Sequence, residues 1–204
     1  MVAVHSFYVD VLKNNLAHFI QSCFYYLNPG TQYKHNWHID VIAEYLMCMS
    51  YGLLKKAGHY IPILEDVFNN KLTSSVGNKL VINLPPRYLK SIAVTVAWPA
   101  WLLGHCPHLR VICASYSHRI AAKLTLDCLK IMESNWYQEI FPDTKIIKTQ
   151  KSRLKFVTNK GGFRYTTSML GSVTGEGGDV IIADDPHNPT FIHSPAKRDA
   201  VINW

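Results

Sequence analysis

The pattern of apolar residues changes near residue 80, and that change limits the possible folds more than any other feature of the chain. Beyond it come three short apolar runs: Leu80-Val81-Ile82-Asn83-Leu84, Arg110-Val111-Ile112-Cys113-Ala114-Ser115 and Val180-Ile181-Ile182-Ala183. Runs this short are below helix length, and their lack of polar alternation predicts strands buried on both faces. The first two are each followed by a segment of helical period, and strand followed by helix predicts a mostly parallel sheet covered on both faces. The 204 residues accommodate one such α/β domain with its own core and an accessory segment.

Ahead of the change the spacing is helical. Phe7, Val11, Leu12, Leu16, Phe19, Ile20, Cys23, Phe24 and Leu27 recur at three- and four-residue steps, predicting one amphipathic helix over 5–27 that Asn28-Pro29-Gly30 stops. Ile39, Ile42, Ala43, Leu46 and Met49 predict a second over 37–54, and 58–77 reads as a connecting region with a short helical piece. The chain therefore divides into a helical lid or adaptor, 1–75, and a sheet-bearing core, 76–204. Within the core an apolar helix opens near Lys90, and Ile120, Leu124, Cys128 and Ile131 fall in step over a helix at 117–134. Alternation on either side of Asn159-Lys160-Gly161-Gly162 predicts a β-hairpin. Ser194-Pro195 is an N-cap followed by proline at the first helical position, so 194–204 reads as the opening of a helix.

Composition removes several classes. A chain with 48% hydrophobic and 17% charged residues is not disordered. Five cysteines (Cys23, Cys48, Cys106, Cys113, Cys128) with no C-x-x-C pair suggest neither a disulfide framework nor a zinc cluster and fit a reducing cytoplasm. Residues 1–10 lack the basic and apolar regions of a signal peptide. The uncharged run 91–109 is broken by Pro99, Gly104, His105, Pro107 and His108, so it reads as a buried helix and no membrane association is expected. The formal charge of +7 is moderate, but seven positive residues (Lys145, Lys148, Lys151, Arg153, Lys155, Lys160, Arg164) gather within twenty positions around the hairpin. They form either a solvated face or a set of phosphate contacts.

Two constellations carry chemistry. Leu84-Pro85-Pro86-Arg87-Tyr88-Leu89-Lys90-Ser91 joins a predicted strand to a helix and matches the phosphate-loop pattern G-x-x-x-x-G-K-[ST] at Lys90-Ser91, with Leu84 and Leu89 where the pattern has glycine. Such a joint aims backbone N–H groups and the positive end of a helix dipole at one point, which suits a phosphate. Lys90 would reach the β- and γ-phosphates and the Ser91 hydroxyl would ligate Mg2+. A helix cap after a proline turn is the plainer alternative. In Val180-Ile181-Ile182-Ala183-Asp184-Asp185 a strand ends in two carboxylates, which are costly beside a core unless solvated, paired or bound to a cation. Asp184 would hold Mg2+ and Asp185 would polarise an attacking water. Alternatively, both acids simply begin the turn before Pro186. Both constellations fall at strand carboxyl ends, where open α/β sheets bind ligands.

Three segments, in order, resemble the ATPase domain of the large terminase subunit of tailed bacteriophages: Asn83-Leu84-Pro85-Pro86-Arg87-Tyr88-Leu89-Lys90-Ser91, Cys113-Ala114-Ser115-Tyr116-Ser117, and Thr174-Gly175-Glu176-Gly177-Gly178-Asp179 running on to Ile181-Ile182-Ala183-Asp184-Asp185-Pro186. Asn36-Trp37-His38-Ile39-Asp40 is similar to the family's helix upstream of the loop, and the resemblance spans about 28–204. It implies a P-loop NTPase fold of the ASCE, RecA/helicase-like kind that binds ATP and Mg2+ and hydrolyses ATP to drive double-stranded DNA into a prohead. Pro86, Arg87, Tyr88, Leu89, Lys90 and Ser91 would form its phosphate loop, with Arg87 on the γ-phosphate. Asp184 and Asp185 would be its Walker B pair, and Trp37 and His38 would lie near the adenine. The implied partners are a portal protein, a small terminase subunit and further copies in a ring, within the cytoplasm of a bacterial host.

Three departures qualify what is implied. Leu89 stands where many relatives have glycine and is expected to tighten the loop by forgoing positive φ. Asp185 is one methylene shorter than the usual glutamate, which is expected to slow hydrolysis. The chain ends before the family's coupling motif and nuclease, so it is expected to be an N-terminal part with no nuclease activity. A helicase-like DNA-dependent ATPase and an inactive prophage remnant that only binds ATP, DNA or partners are the alternative readings. Residues 171–178, with four glycines, form either a hinge at the site rim or a turn feeding a strand, and Ser115-Tyr116-Ser117-His118-Arg119 offers either backbone contacts to nucleic acid or a solvated cap.

Overall fold

The computed structural model describes residues 2–56, 58, 78–171 and 175–203. The helix expected over 5–27 is two, α1 (Val2–Asn14) and α2 (Leu16–Leu27). Asn15 between them is extended, and its side chain accepts a hydrogen bond from His18 N at 3.1 Å, because asparagine caps a helix better than it continues one. The Asn28-Pro29-Gly30 stop holds: Asn28 caps α2, and Gly30 takes a φ of +83°. Next comes α3 (Trp37–Lys56). Apart from Gly58, the connecting region expected at 58–77 lies outside the described residues, as does Thr174 of the glycine-rich segment.

Five strands form one sheet: β1 (Arg110–Ser115), β2 (Ile146–Lys151), β3 (Lys155–Thr158), β4 (Phe163–Ser168) and β5 (Val180–Asp184), in the order β2-β3-β4-β1-β5. β1 runs parallel to β4 and β5, whereas β3 is antiparallel to β2 and β4, so the sheet is mixed rather than mostly parallel. The antiparallel side arises from the hairpin expected at 159–162, which joins β3 to β4, and from β2, which the sequence pattern did not announce.

Two expectations are corrected at the parallel side. Residues 80–84 pair with no strand among the described residues; Leu80, Ile82 and Leu84 rest on the core while Val81 is 92% exposed. β5, expected to be buried on both faces, is an edge strand. Val180, Ile182 and Asp184 are buried, but Ile181 and Ala183 are open to solvent, so the sheet is not covered on both faces there. An apolar run reports that a segment suits a strand; which strand it pairs with is decided elsewhere in the chain.

The register puts Val111, Cys113 and Ser115 of β1 on one face with Arg164, Thr166 and Ser168 of β4 and Val180, Ile182 and Asp184 of β5. Against this face lie a π-helical turn (Ile92–Ala97), which runs directly into α4 (Trp98–His105), and α5 (His118–Glu133). α2 and α3 pack outside them, and the apolar residues of all these elements form one core. Two further α-helices, α6 (Asn135–Ile140) and α7 (Pro195–Ile202), and a 3-10 turn (Pro189–Phe191) complete the described chain, α7 opening after Ser194 as the sequence predicts.

Candidate active site

The loop after residue 84 and the end of β5 meet. Lys90 Nζ donates to Asp185 Oδ1 across 95 positions of sequence. Asp185 is largely exposed, whereas Asp184 is buried and accepts a hydrogen bond from Thr95 Oγ1 at 3.0 Å on its Oδ2. β1 ends level with the pair, since Ser115 is in register with Asp184 and Tyr116 N donates to the Asp185 carbonyl at 3.2 Å. Lys90 and the Asp184–Asp185 pair, two separate constellations in the sequence, are therefore brought together at one place.

Backbone geometry marks the same place. Arg87, Leu89 and Asp185 are the non-glycine residues with positive φ among the described residues, at 70°, 62° and 46°. Leu89 thus adopts the left-handed conformation it was expected to forgo, and the loop keeps the shape a glycine would give it, with strain. The helix ladder begins with Ala93 N donating to the Leu89 carbonyl, which leaves the preceding amides at the helix start without a partner inside the helix. Ser91 lies in this first turn and makes no side-chain capping bond.

His38 at the start of α3 meets Tyr88 of the loop edge to face, ring centroids 5.4 Å apart. Trp37 beside it is 72% exposed, so it is not a core packing residue. The loop thus gathers His38 and Tyr88 beside Lys90, while Pro86 and Arg87 stand exposed at its rim.

The basic run around the hairpin is not a free cationic face. Lys151 pairs with Glu133 at 2.7 Å and Lys155 with Glu176 at 2.6 Å, Lys145 bonds Gln138, and Arg164 is fully buried. Lys148, Arg153 and Lys160 remain exposed without an acidic partner among the described residues. Of the glycine-rich segment, Gly175 has a φ of +88°, and a side chain at Gly177 or Gly178 would meet Arg110 or Ile112 of β1. A cleft of about 900 Å3 lies at the opposite, amino ends of β1 and β4. It mixes Asp10 and Asp143 with Lys13, Lys145 and Lys160 and contains none of the predicted site residues.

Two residues beside the site have roles that no sequence motif announces. Thr95 holds Asp184, and the Arg164 guanidinium donates from Nη2 to the Thr95 carbonyl at 2.8 Å. Arg164 sits beside Cys113, whose thiol burial pushes up and the guanidinium pulls down. The signal that could have found it is strand alternation: Arg164 shares the inward face with Thr166 and Ser168. Neither a scan against protein-family models nor a search of curated proteins returns a match for this chain.

Proposed function

We propose that the chain is an Mg2+-dependent ATP-binding and ATP-hydrolysing domain of the large terminase subunit type, with a P-loop NTPase fold, that powers movement of double-stranded DNA into a prohead. The observation that carries the ATPase reading is the Lys90–Asp185 ion pair with Asp184 buried at the same strand end. A lysine at a helix start and two adjacent acids, brought together at strand carboxyl ends, suit a triphosphate and its cation. The assignment to terminases rests on the motif strings and their order.

The donor set fits Mg2+, which takes hard oxygen ligands and is usually held by one or two carboxylates plus substrate phosphates. Thr95 engages Oδ2 of Asp184, so Oδ1 is the oxygen that would face the cation, with the Ser91 hydroxyl as the second protein ligand. Bound there, Mg2+ would neutralise charge on the β- and γ-phosphate oxygens. The chain's own residues do the rest. Lys90 exchanges Asp185 for phosphate oxygens, and Arg87 takes charge developing on the γ-phosphate. Asp185, released from Lys90, orients a water and takes its proton as the water oxygen bonds to the γ-phosphorus and the bond to the bridging oxygen breaks, its electron pair leaving on ADP. Trp37, His38 and Tyr88 offer aromatic surface for the base.

The test is steady-state ATP hydrolysis by the purified chain and by Asp185→Ala. A loss on the order of 100-fold is expected for removing a group that activates water. Turnover equal to the parent's would take Asp185 out of the reaction.

A further inference from the structure

Arg164 and Asp184 are buried charges of opposite sign on one face of the sheet, yet the strand register keeps them apart. Arg164 is level with Val111 and Asp184 with Ser115, four positions along β1, or about 13 Å of strand. What spans the gap is Thr95, which takes Arg164 Nη2 on its carbonyl at 2.8 Å and gives its hydroxyl to Asp184 Oδ2 at 3.0 Å.

The sequence shows that this carbonyl lacks an α-helical donor. In an α-helix the carbonyl of residue 95 would accept from the N–H of residue 99, and residue 99 is proline, which has none and whose ring crowds that carbonyl. The helix responds by widening: Ile92–Ala97 is π-helical, and Trp98 N reaches back to the Ala93 carbonyl. Pro99 thus denies the Thr95 carbonyl its α-helical donor, and the Arg164 guanidinium donates to that carbonyl at 2.8 Å. Arg164 Nε and Nη1, Thr166 Oγ1 and Ser115 Oγ on the same face make no hydrogen bond among the described residues, so Thr95 is the group that links Arg164 to Asp184.

We infer that Thr95 is a positioning residue for the cation-binding carboxylate: braced by Arg164, it fixes Asp184 relative to the helix that carries Lys90 and Ser91. This rests on the reading of Asp184 as the Mg2+ ligand. The same helix presents Lys90 at one end and clamps Asp184 from within, so the two halves of the site are set by one rigid turn rather than by the exposed Lys90–Asp185 pair.

The experiment measures ATP binding by the full chain over a range of Mg2+ concentrations, for the parent, Thr95→Val and Thr95→Ser. Valine keeps the shape and removes the hydroxyl, whereas serine keeps the hydroxyl. Thr95→Val should raise the Mg2+ concentration for half-maximal binding by at least fivefold while metal-free ATP affinity stays at the parent's value, and Thr95→Ser should remain within twofold of the parent. An unchanged Mg2+ requirement in Thr95→Val, or equal impairment of both variants, overturns the inference. If the parent itself binds no ATP, the ATPase reading fails separately. The link is then read from thermal unfolding of Thr95→Val, Asp184→Asn and the double variant, in which non-additive shifts support it and additive shifts overturn it.

Discussion

Leu89 takes a φ of 62° at the start of the site helix, where an L side chain pays about 1–2 kcal/mol for the left-handed conformation. Arg87 and Asp185 do the same nearby, and Asp185 is further restricted by Pro186 after it. Strain of this kind persists only where surrounding structure holds it, and here it gathers on the two segments that meet at Lys90 and Asp185. For Leu89 it makes a prediction that separates backbone from packing. Both Leu89→Gly and Leu89→Ala remove the side chain that rests on the core, but only glycine is at ease with positive φ. Leu89→Gly should therefore be the more stable of the two by about 1 kcal/mol in chemical denaturation, reversing the order expected at an ordinary helix position.

At the scale of elements, close approach replaces strain as the controlling term. Gly162 between β3 and β4 donates its N–H to the Pro107 carbonyl at 3.1 Å, and a Cβ there would run into the backbone carbonyls of Pro107 and Leu109. Backbone cannot swing aside as a side chain can, so Gly162→Ala should cost about 2–3 kcal/mol, read as a lowered denaturation midpoint. The elements legible in the sequence were those whose signal is local. β1, α5 and the β3–β4 hairpin show their period or turn residues within their own spans, and so do the Asn28-Pro29-Gly30 stop and the Ser194-Pro195 start. Three features were illegible because they depend on distant partners or on a single competing residue. Residues 80–84 suit a strand but find none to pair with among the described residues, β5 lies at an edge, and Asn15 divides one apparent helix into two. The π turn had a local cause, Pro99, but its consequence appears only once Arg164 is seen to reach the Thr95 carbonyl. The site shows the same division. Lys90, Asp184 and Asp185 announced themselves by motif, whereas Arg164 was hidden among surface lysines by its charge.

Across the whole molecule, the approach to β5 is held to β1 by Arg110 and Asp179. Arg110 donates to the Asp179 carboxylate from its backbone N at 2.9 Å, from Nε at 3.1 Å and from Nη2 at 2.8 Å, while Asp179 N donates to the Arg110 carbonyl at 2.8 Å. The side-chain hydrogen bonds from Arg110 hold the Asp179 carboxyl below its ordinary range. A depressed carboxylate stabilises the fold fully above its unfolded-state range and ceases to do so as the pH falls through its lowered folded value. Asp179→Asn should thus lower stability at neutral pH and flatten the acid side of the stability profile, checked by denaturation midpoints from pH 7 down to about 3. That anchor sets where β5 begins, and β5 in turn delivers Asp184 and Asp185 to the loop of Lys90. The central claim is that this meeting point is a phosphate site. Its most direct test is equilibrium binding of ATP with Mg2+ to the purified chain beside Lys90→Ala. Affinity at least tenfold weaker in Lys90→Ala, with an unchanged unfolding midpoint, is expected, whereas equal affinity of the two proteins would remove Lys90 from any phosphate site.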